Sequence, residues 1–387
     1  MTTRKFISTV LLSISFCFVL QAQTISIHFP DFAGKEYALY LHQGQNHEQV
    51  ASGQLNAQGR AQVVIPASFA GYAGIGVLRL DNGASNIQLI INRENFSVEA
   101  DGERGIVFRN SPENDFMVAH FSGQTPVQTS RNMYAPRFIA LMNFQNELQQ
   151  FANPISLRAH LRRNLDMEAL FTSGLWNNVI SGTFNLYHHN TRNFGVDMVE
   201  VLRRTNNQAV FEALAEDLIT ICTQFGWETA QDEIVEFLVN SQRIAQPTGR
   251  LYVAFLQHRV RAGVQAPALI DGRRTIEPRN TLLMFHETGC PNCERQMQIA
   301  IRNYQTIRER GFNVVSVSAD LDEETHRRVS APFPWTRILN DFEGFGGINF
   351  NNYGVVAIPT MYLINENGIV VGRFARLQDI PVFNDLR

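Results

Sequence analysis

Cysteine is scarce in this chain. There are four among 387 residues, and one of them, Cys17, lies inside an N-terminal apolar run. So few cysteines exclude a disulfide-stapled scaffold, and the lack of a second C-x-x-C leaves a structural zinc centre without its four ligands. No block of like charge is sustained, and the formal net charge is only −3, so the electrostatic footprint of a nucleic-acid binder is missing. Basic charge is carried almost entirely by arginine. Internal repeats and low-complexity tracts are absent, and so is any apolar run after residue 22 long enough to span a membrane. What remains, 44% hydrophobic and 18% charged residues, suits an ordinary globular chain of two or three domains.

The first 22 residues read as a secretory signal. Arg4 and Lys5 supply the positive start, residues 6–20 the apolar run, and Leu20-Gln21-Ala22 the small residue at which cleavage is favoured. The mature chain is expected to be exported to the periplasm without a membrane span. Cys17 follows Phe16, where a lipoprotein site wants a small residue, so lipid anchoring is disfavoured.

Three periodicities follow. Residues 23–110 alternate, as in Thr24-Ile25-Ser26-Ile27-His28-Phe29, and turn signals such as Asp81-Asn82-Gly83 recur at short intervals. That pattern predicts a β-sandwich-like domain with strands over 87–91 and 95–98. His42 and His47 are expected in or near a loop as solvated polar surface. At Ser111-Pro112 the pattern changes to a helix start, and 111–258 reads as an α-helical domain. Within it, Thr229-Ala230-Gln231-Asp232 resembles a capping box. His188-His189 cannot share a helix face as metal ligands, and Cys222 falls on an apolar helical run as a small buried hydrophobe. From 259 to 387 strands and helices alternate. A strand over 282–285, a helix over 294–310, a strand over 313–318 and two strands joined by Asn365-Glu366-Asn367-Gly368 predict an α/β domain of βαβ unit and hairpin.

The chemistry concentrates at Phe285-His286-Glu287-Thr288-Gly289-Cys290-Pro291-Asn292-Cys293. A strand that empties into C-x-x-C at a helix start is a redox arrangement. Attack on a disulfide needs a thiolate, and the unpaired amides of a helix N-terminus favour one. Cys290 falls at the N-cap with Pro291 at the first helical position, so Cys290 is the expected nucleophile. Cys293, a turn further in, is expected to resolve the mixed disulfide. A permanent structural bridge would close too small a loop to stabilise much. A second element is Ala357-Ile358-Pro359-Thr360. A proline entering an apolar strand is out of place in a central ladder. A cis Ile358–Pro359 peptide would leave the Ile358 backbone open to an extended substrate.

Residues from about 263 onward, roughly a third of the chain, resemble the thioredoxin superfamily, in particular exported TlpA/ResA-like thiol–disulfide oxidoreductases. The likeness rests on Ala266-Pro267, Gly289-Cys290-Pro291-Asn292-Cys293, the stretch from Gly311-Phe312-Asn313 to Ser318, and Tyr353-Gly354-Val355 leading into Ile358-Pro359-Thr360. It implies a thioredoxin-like C-terminal domain and no cofactor beyond the redox-active Cys290–Cys293 pair. It also implies partners of two kinds, disulfide-containing protein substrates and an upstream thiol reductant or oxidant. The branch usually has tryptophan where Gly289 and His286 stand, and a proton-handling glutamate where Gln296 stands. Glu287 and Glu294 are the nearest substitutes, and His286 could tune the thiolate. Pro-Asn between the cysteines differs from the Gly-Pro of typical thioredoxins, which leaves the direction of redox work open. The expected function is reduction or isomerisation of protein disulfides. Two alternatives stand beside it. One is a binding or interaction protein carrying a thioredoxin-like domain. The other is a peroxiredoxin-like peroxidase, whose Pro-x-x-x-Thr-x-x-Cys pattern is not met by Thr288.

Overall fold

The computed structural model describes residues 23–102, 105–187 and 190–386, and within them the chain divides into two compact units between Leu186 and Tyr187. The expected leader over 1–22 and the His188-His189 pair lie outside the described residues. Among the described residues no helix is long and apolar enough to cross a membrane.

The first unit begins with eight strands: β1 (Thr24–His28), β2 (Glu36–Gln43), β3 (Asn46–Gln54), β4 (Arg60–Val64), β5 (Ala73–Leu80), β6 (Ser85–Asn92), β7 (Phe96–Asp101) and β8 (Gly105–Arg109). They form two four-stranded sheets, ordered β4-β1-β7-β8 and β3-β2-β5-β6. Only β1 and β7 pair in parallel. Alternation turns one face of each sheet inward. One buried cluster therefore takes Ile25, Ile27 and Val98 from the first sheet and Leu39, Leu41, Leu80 and Ile91 from the second. The loop expected around His42 and His47 is the tight turn at Gly44-Gln45, and the two histidines lie beside it at the adjoining ends of β2 and β3. The two face each other across β2 and β3, with rings stacked at 4.6 Å. β3 is polar and mostly exposed, so it carries no apolar alternation to reveal it.

Five helices complete this unit: α1 (Pro112–Phe121), α2 (Tyr134–Gln150), α3 (Pro154–Arg163), α4 (Met167–Phe171) and α5 (Trp176–Phe184). α1 starts at Ser111-Pro112 as its sequence predicts, with the Ser111 side chain accepting from the Asn114 amide. Glu113, buried in α1, accepts from the amides of Tyr134 at 2.8 Å and Ala135 at 2.7 Å. A carboxylate thus satisfies the free amides that open α2.

The second unit opens with α6 (Thr191–Arg204), α7 (Gln208–Phe225), α8 (Glu228–Ser241) and α9 (Gly249–His258), so the helices over 111–258 contribute to both units. Cys222 is buried in α7, and burial pushes its thiol up to about 12. The expected capping box is absent. α8 already begins at Glu228, Trp227 occupies the N-cap without a side-chain cap bond, and Thr229 lies inside the first turn. Trp227 instead packs edge-on against Phe194 at 5.2 Å, so tertiary packing rather than a local cap marks this start.

The remainder alternates: β9 (Leu269–Asp271), β10 (Arg274–Ile276), β11 (Thr281–His286), α10 (Pro291–Arg302), α11 (Tyr304–Glu309), β12 (Asn313–Ser318), α12 (Glu323–Ser330), β13 (Arg337–Leu339), α13 (Ile348–Asn352), β14 (Thr360–Ile364) and β15 (Val370–Phe374). The main sheet runs β13-β12-β11-β14-β15, parallel from β13 to β11 and antiparallel beyond. β11 is central and buried along its whole length. A strand covered on both faces must be apolar on both, and Leu282-Leu283-Met284-Phe285 meets that condition. Leu283 and Phe285 enter one core with Val315, Val317 and Tyr362, while Leu282 and Met284 enter the other with Met297, Ala300 and Phe383. The single helix expected over 294–310 is instead two. It breaks at Asn303, whose side-chain amide donates to the Ile299 carbonyl at 2.8 Å and competes with the helical ladder. After α13, Gly354 takes φ +58°, and a Cβ there would lie 2.9 Å from the Leu256 backbone of α9. Glycine is required twice over, by conformation and by space.

Candidate redox site

The site forms where β11 leaves the sheet. Gly289 turns the chain with φ +82°, a conformation that glycine adopts without strain. Cys290 then becomes the N-cap of α10 and Pro291 its first residue, where a missing N–H costs nothing. The Cys293 amide donates to Cys290 Sγ at 3.3 Å. Such a contact stabilises negative charge on that sulfur. Both cysteines are free thiols, but their surroundings differ: Cys290 is half-buried, while Cys293 is 1% exposed. Burial first, and then the hydrogen bond with Cys290, raise the Cys293 thiol well above its ordinary value, against a lowering contribution from the Glu287 backbone. The pair therefore has an accessible sulfur in front and a proton-retaining one behind.

Other residues singled out in the sequence lie around this pair. Ile358–Pro359 is a cis peptide, and both residues are partly exposed. Antiparallel register sets Thr360 opposite Phe285, so the chain enters β14 at the end of the sheet where β11 releases the cysteine loop. Glu287 is half-buried, and its carbonyl accepts from the Cys290 amide at 3.4 Å. Glu294 is exposed on α10. Gln296 is buried, and its side-chain oxygen accepts from the Leu377 amide at 2.9 Å. This carboxamide ties the C-terminal segment to α10.

His286 closes β11, 3% exposed, edge-on to Phe333 at 5.8 Å. Its Nε2 is buried without a hydrogen-bond partner. Burial pushes its imidazole down to about 4, although the Asp320 charge acts in the opposite direction. Between about pH 6.5 and pH 4 the unfolded chain takes up a proton at this position and the folded chain does not. Folding stability is thus unaffected above that window and falls as the pH drops through it. Between pH 7 and pH 5 the loss from this one residue is expected to be roughly 2 kcal/mol. Chemical denaturation at the two pH values measures it, and His286→Leu should remove that share. An equal acid loss in the variant would rule the effect out.

Sequence reading missed Asp320. It follows β12, is 6% exposed, and accepts from both the amide and the hydroxyl of Thr288 at 2.8 Å. An acid just past a buried strand was the available signal, but nothing in the spacing links it to a residue 32 positions earlier.

Comparison with known proteins covers the same region. Residues 273–373 match the AhpC/TSA family. Nucleoredoxin from Danio rerio is 27% identical over 129 residues, covering 32% of this chain and 30% of that protein. The thiol–disulfide oxidoreductase ResA from Halalkalibacterium halodurans is 32% identical over 104 residues, covering 25% of this chain and 54% of that protein. The chain thus spans under a third of nucleoredoxin's length and about half of ResA's. Among solved structures, a thioredoxin-like protein from Bacteroides caccae is 17% identical, covering 59% of this chain and 90% of that one, with a TM-score of 0.40.

Proposed function

Because its C-terminal region is a thioredoxin-superfamily domain of the TlpA/ResA-like kind, we propose that this chain is an exported thiol–disulfide oxidoreductase that reduces or isomerises protein disulfides. The observation that carries the reading is the asymmetry of the pair, with Cys290 half-exposed under the Cys293 amide and Cys293 sealed behind it.

The steps balance as follows. The Cys290 thiolate attacks one sulfur of a substrate disulfide, a Cys290–substrate bond forms, and the other substrate sulfur leaves as a thiolate that takes up a proton. Cys293 then gives up its proton and attacks Cys290 Sγ. The Cys290–Cys293 disulfide forms and the second substrate thiol departs. Two electrons have passed to the substrate, and a thiol-donating partner must return them. In isomerisation the released thiol attacks elsewhere in the substrate and no net electrons move. Ile358 and Pro359, which enter β14 at the cysteine end of the sheet, are proposed to hold the substrate backbone. Pro291 sets the start of α10, while His286, Glu287 and Gln296 support the loop and helix around the pair.

A Cys293→Ser variant tests this order of events. Incubated with insulin, it should accumulate a covalent adduct at Cys290, detected by mass spectrometry and released by dithiothreitol. An adduct at another residue, or none, would overturn the proposal.

A further inference from the structure

We propose that Asp320 is a positioning residue for Cys290, clamping Thr288 through two hydrogen bonds and so holding the Thr288-Gly289-Cys290 turn at the N-terminus of α10. The inference rests on the reading of Cys290 as the nucleophile.

The clamp uses both oxygens of one carboxylate. Oδ1 accepts from the Thr288 amide and Oδ2 from the Thr288 hydroxyl, each at 2.8 Å. Asp320 itself is anchored at the end of β12. Its amide donates to Ser318 Oγ at 3.1 Å, and its carbonyl accepts from the Asn340 side chain at 2.9 Å. Two histidines also face it. His326 Nδ1 lies 3.6 Å from Oδ2, too far for a hydrogen bond, and His286 closes the neighbouring strand. Burial works to raise the Asp320 carboxyl, but the bonds from Thr288 and Ser318 outweigh it and hold the group below the ordinary carboxylate range. It therefore stays ionised and acceptor-only, the form that can take both Thr288 donors at once.

Burying a carboxylate is costly unless its oxygens are used, and here both are spent on a single residue two positions before Cys290. Between them stands only Gly289, which has no side chain to stiffen the turn. Without the clamp, the turn would lose both side-chain ties to the segment that follows β12, and Cys290 Sγ would no longer be held under the Cys293 amide.

The test is the pH dependence of Cys290 alkylation by iodoacetamide, followed by mass spectrometry on the reduced full-length chain. Asp320→Ala, which removes both bonds, should raise the midpoint by about one pH unit and slow alkylation near neutrality about tenfold. Thr288→Val keeps the amide bond and loses the hydroxyl bond, so its shift should be smaller but measurable. Asp320→Asn keeps the shape without the charge and should shift less than Asp320→Ala. A purely structural role would lower the unfolding temperature without moving the midpoint. Wild-type midpoints in Asp320→Ala and Thr288→Val overturn the proposal. If Asp320→Ala does not fold, an unshifted Thr288→Val decides against it alone. Failure of the underlying reading looks different: Cys290→Ser would then reduce insulin as fast as the wild type, whatever the clamp variants do.

Discussion

Cys290→Ser is expected to lose insulin reduction down to the uncatalysed dithiol background, a drop on the order of a hundredfold or more. Three properties converge on this one sulfur. It is reachable, it receives an amide at a helix start, and it stands before a partner that keeps its proton. Serine preserves the N-cap, because its hydroxyl accepts the same amide, so α10 should form normally in the variant. Its oxygen cannot take part in thiol–disulfide exchange. The loss would therefore belong to chemistry rather than to folding, and an unchanged circular dichroism spectrum would confirm that separation. Insulin precipitation with dithiothreitol as electron source provides the measurement. Equal rates for variant and wild type would end the catalytic reading and leave a binding or interaction role as the better account.

Phe285→Ala should strongly destabilise the second unit, costing about 3–5 kcal/mol. The side chain is fully buried in the central strand, with ring centroids 5.0 Å from Phe350, 5.5 Å from Tyr353 and 6.2 Å from Tyr362. Those neighbours are themselves fixed. The Tyr362 hydroxyl donates to the Tyr353 carbonyl at 2.7 Å, and the Tyr353 hydroxyl to the Pro267 carbonyl at 2.5 Å. A group held so firmly cannot collapse into the space left by alanine, so the cavity contribution should be nearly complete. Phe285→Leu, which leaves a smaller void, should cost less than half as much. Thermal unfolding of the full chain resolves the difference. A loss below about 1 kcal/mol for alanine would mean that the aromatic cluster rearranges freely.

The two variants bracket what could be read from the residues in order. The C-x-x-C arrangement was legible because its determinants are local: N-cap, proline and glycine lie within five residues, and the apolar run of β11 states its own burial. The hairpin of β14 and β15 was legible for the same reason, through Asn365 to Gly368. Elements whose evidence lies elsewhere in the chain were not. β3 is polar, and only its pairing with β2 makes it a strand. β5 shows no clean alternation, because Gly74 and Gly76 interrupt it. α8 starts where Trp227 packs on Phe194 rather than where a capping pattern stood. At the site, the placement of Cys290 at the N-cap and of Cys293 one turn further in followed from spacing. Gln296 could be recognised as a departure, but its bond to Leu377 spans 81 positions, and Asp320 reaches Thr288 across 32. Contacts of that kind are properties of the fold and leave no periodic trace.

The glycine after α13 bears on how the chain could be dissected. A fragment cut at residue 259 would discard α9 and leave Gly354 facing water where the Leu256 backbone now rests. Val260, which packs in the same core as Phe285 and Tyr362, would become a frayed end. A thioredoxin-like fragment built by sequence likeness alone would thus lack a wall against which its own chain was shaped. An expression boundary near Tyr187 keeps that wall.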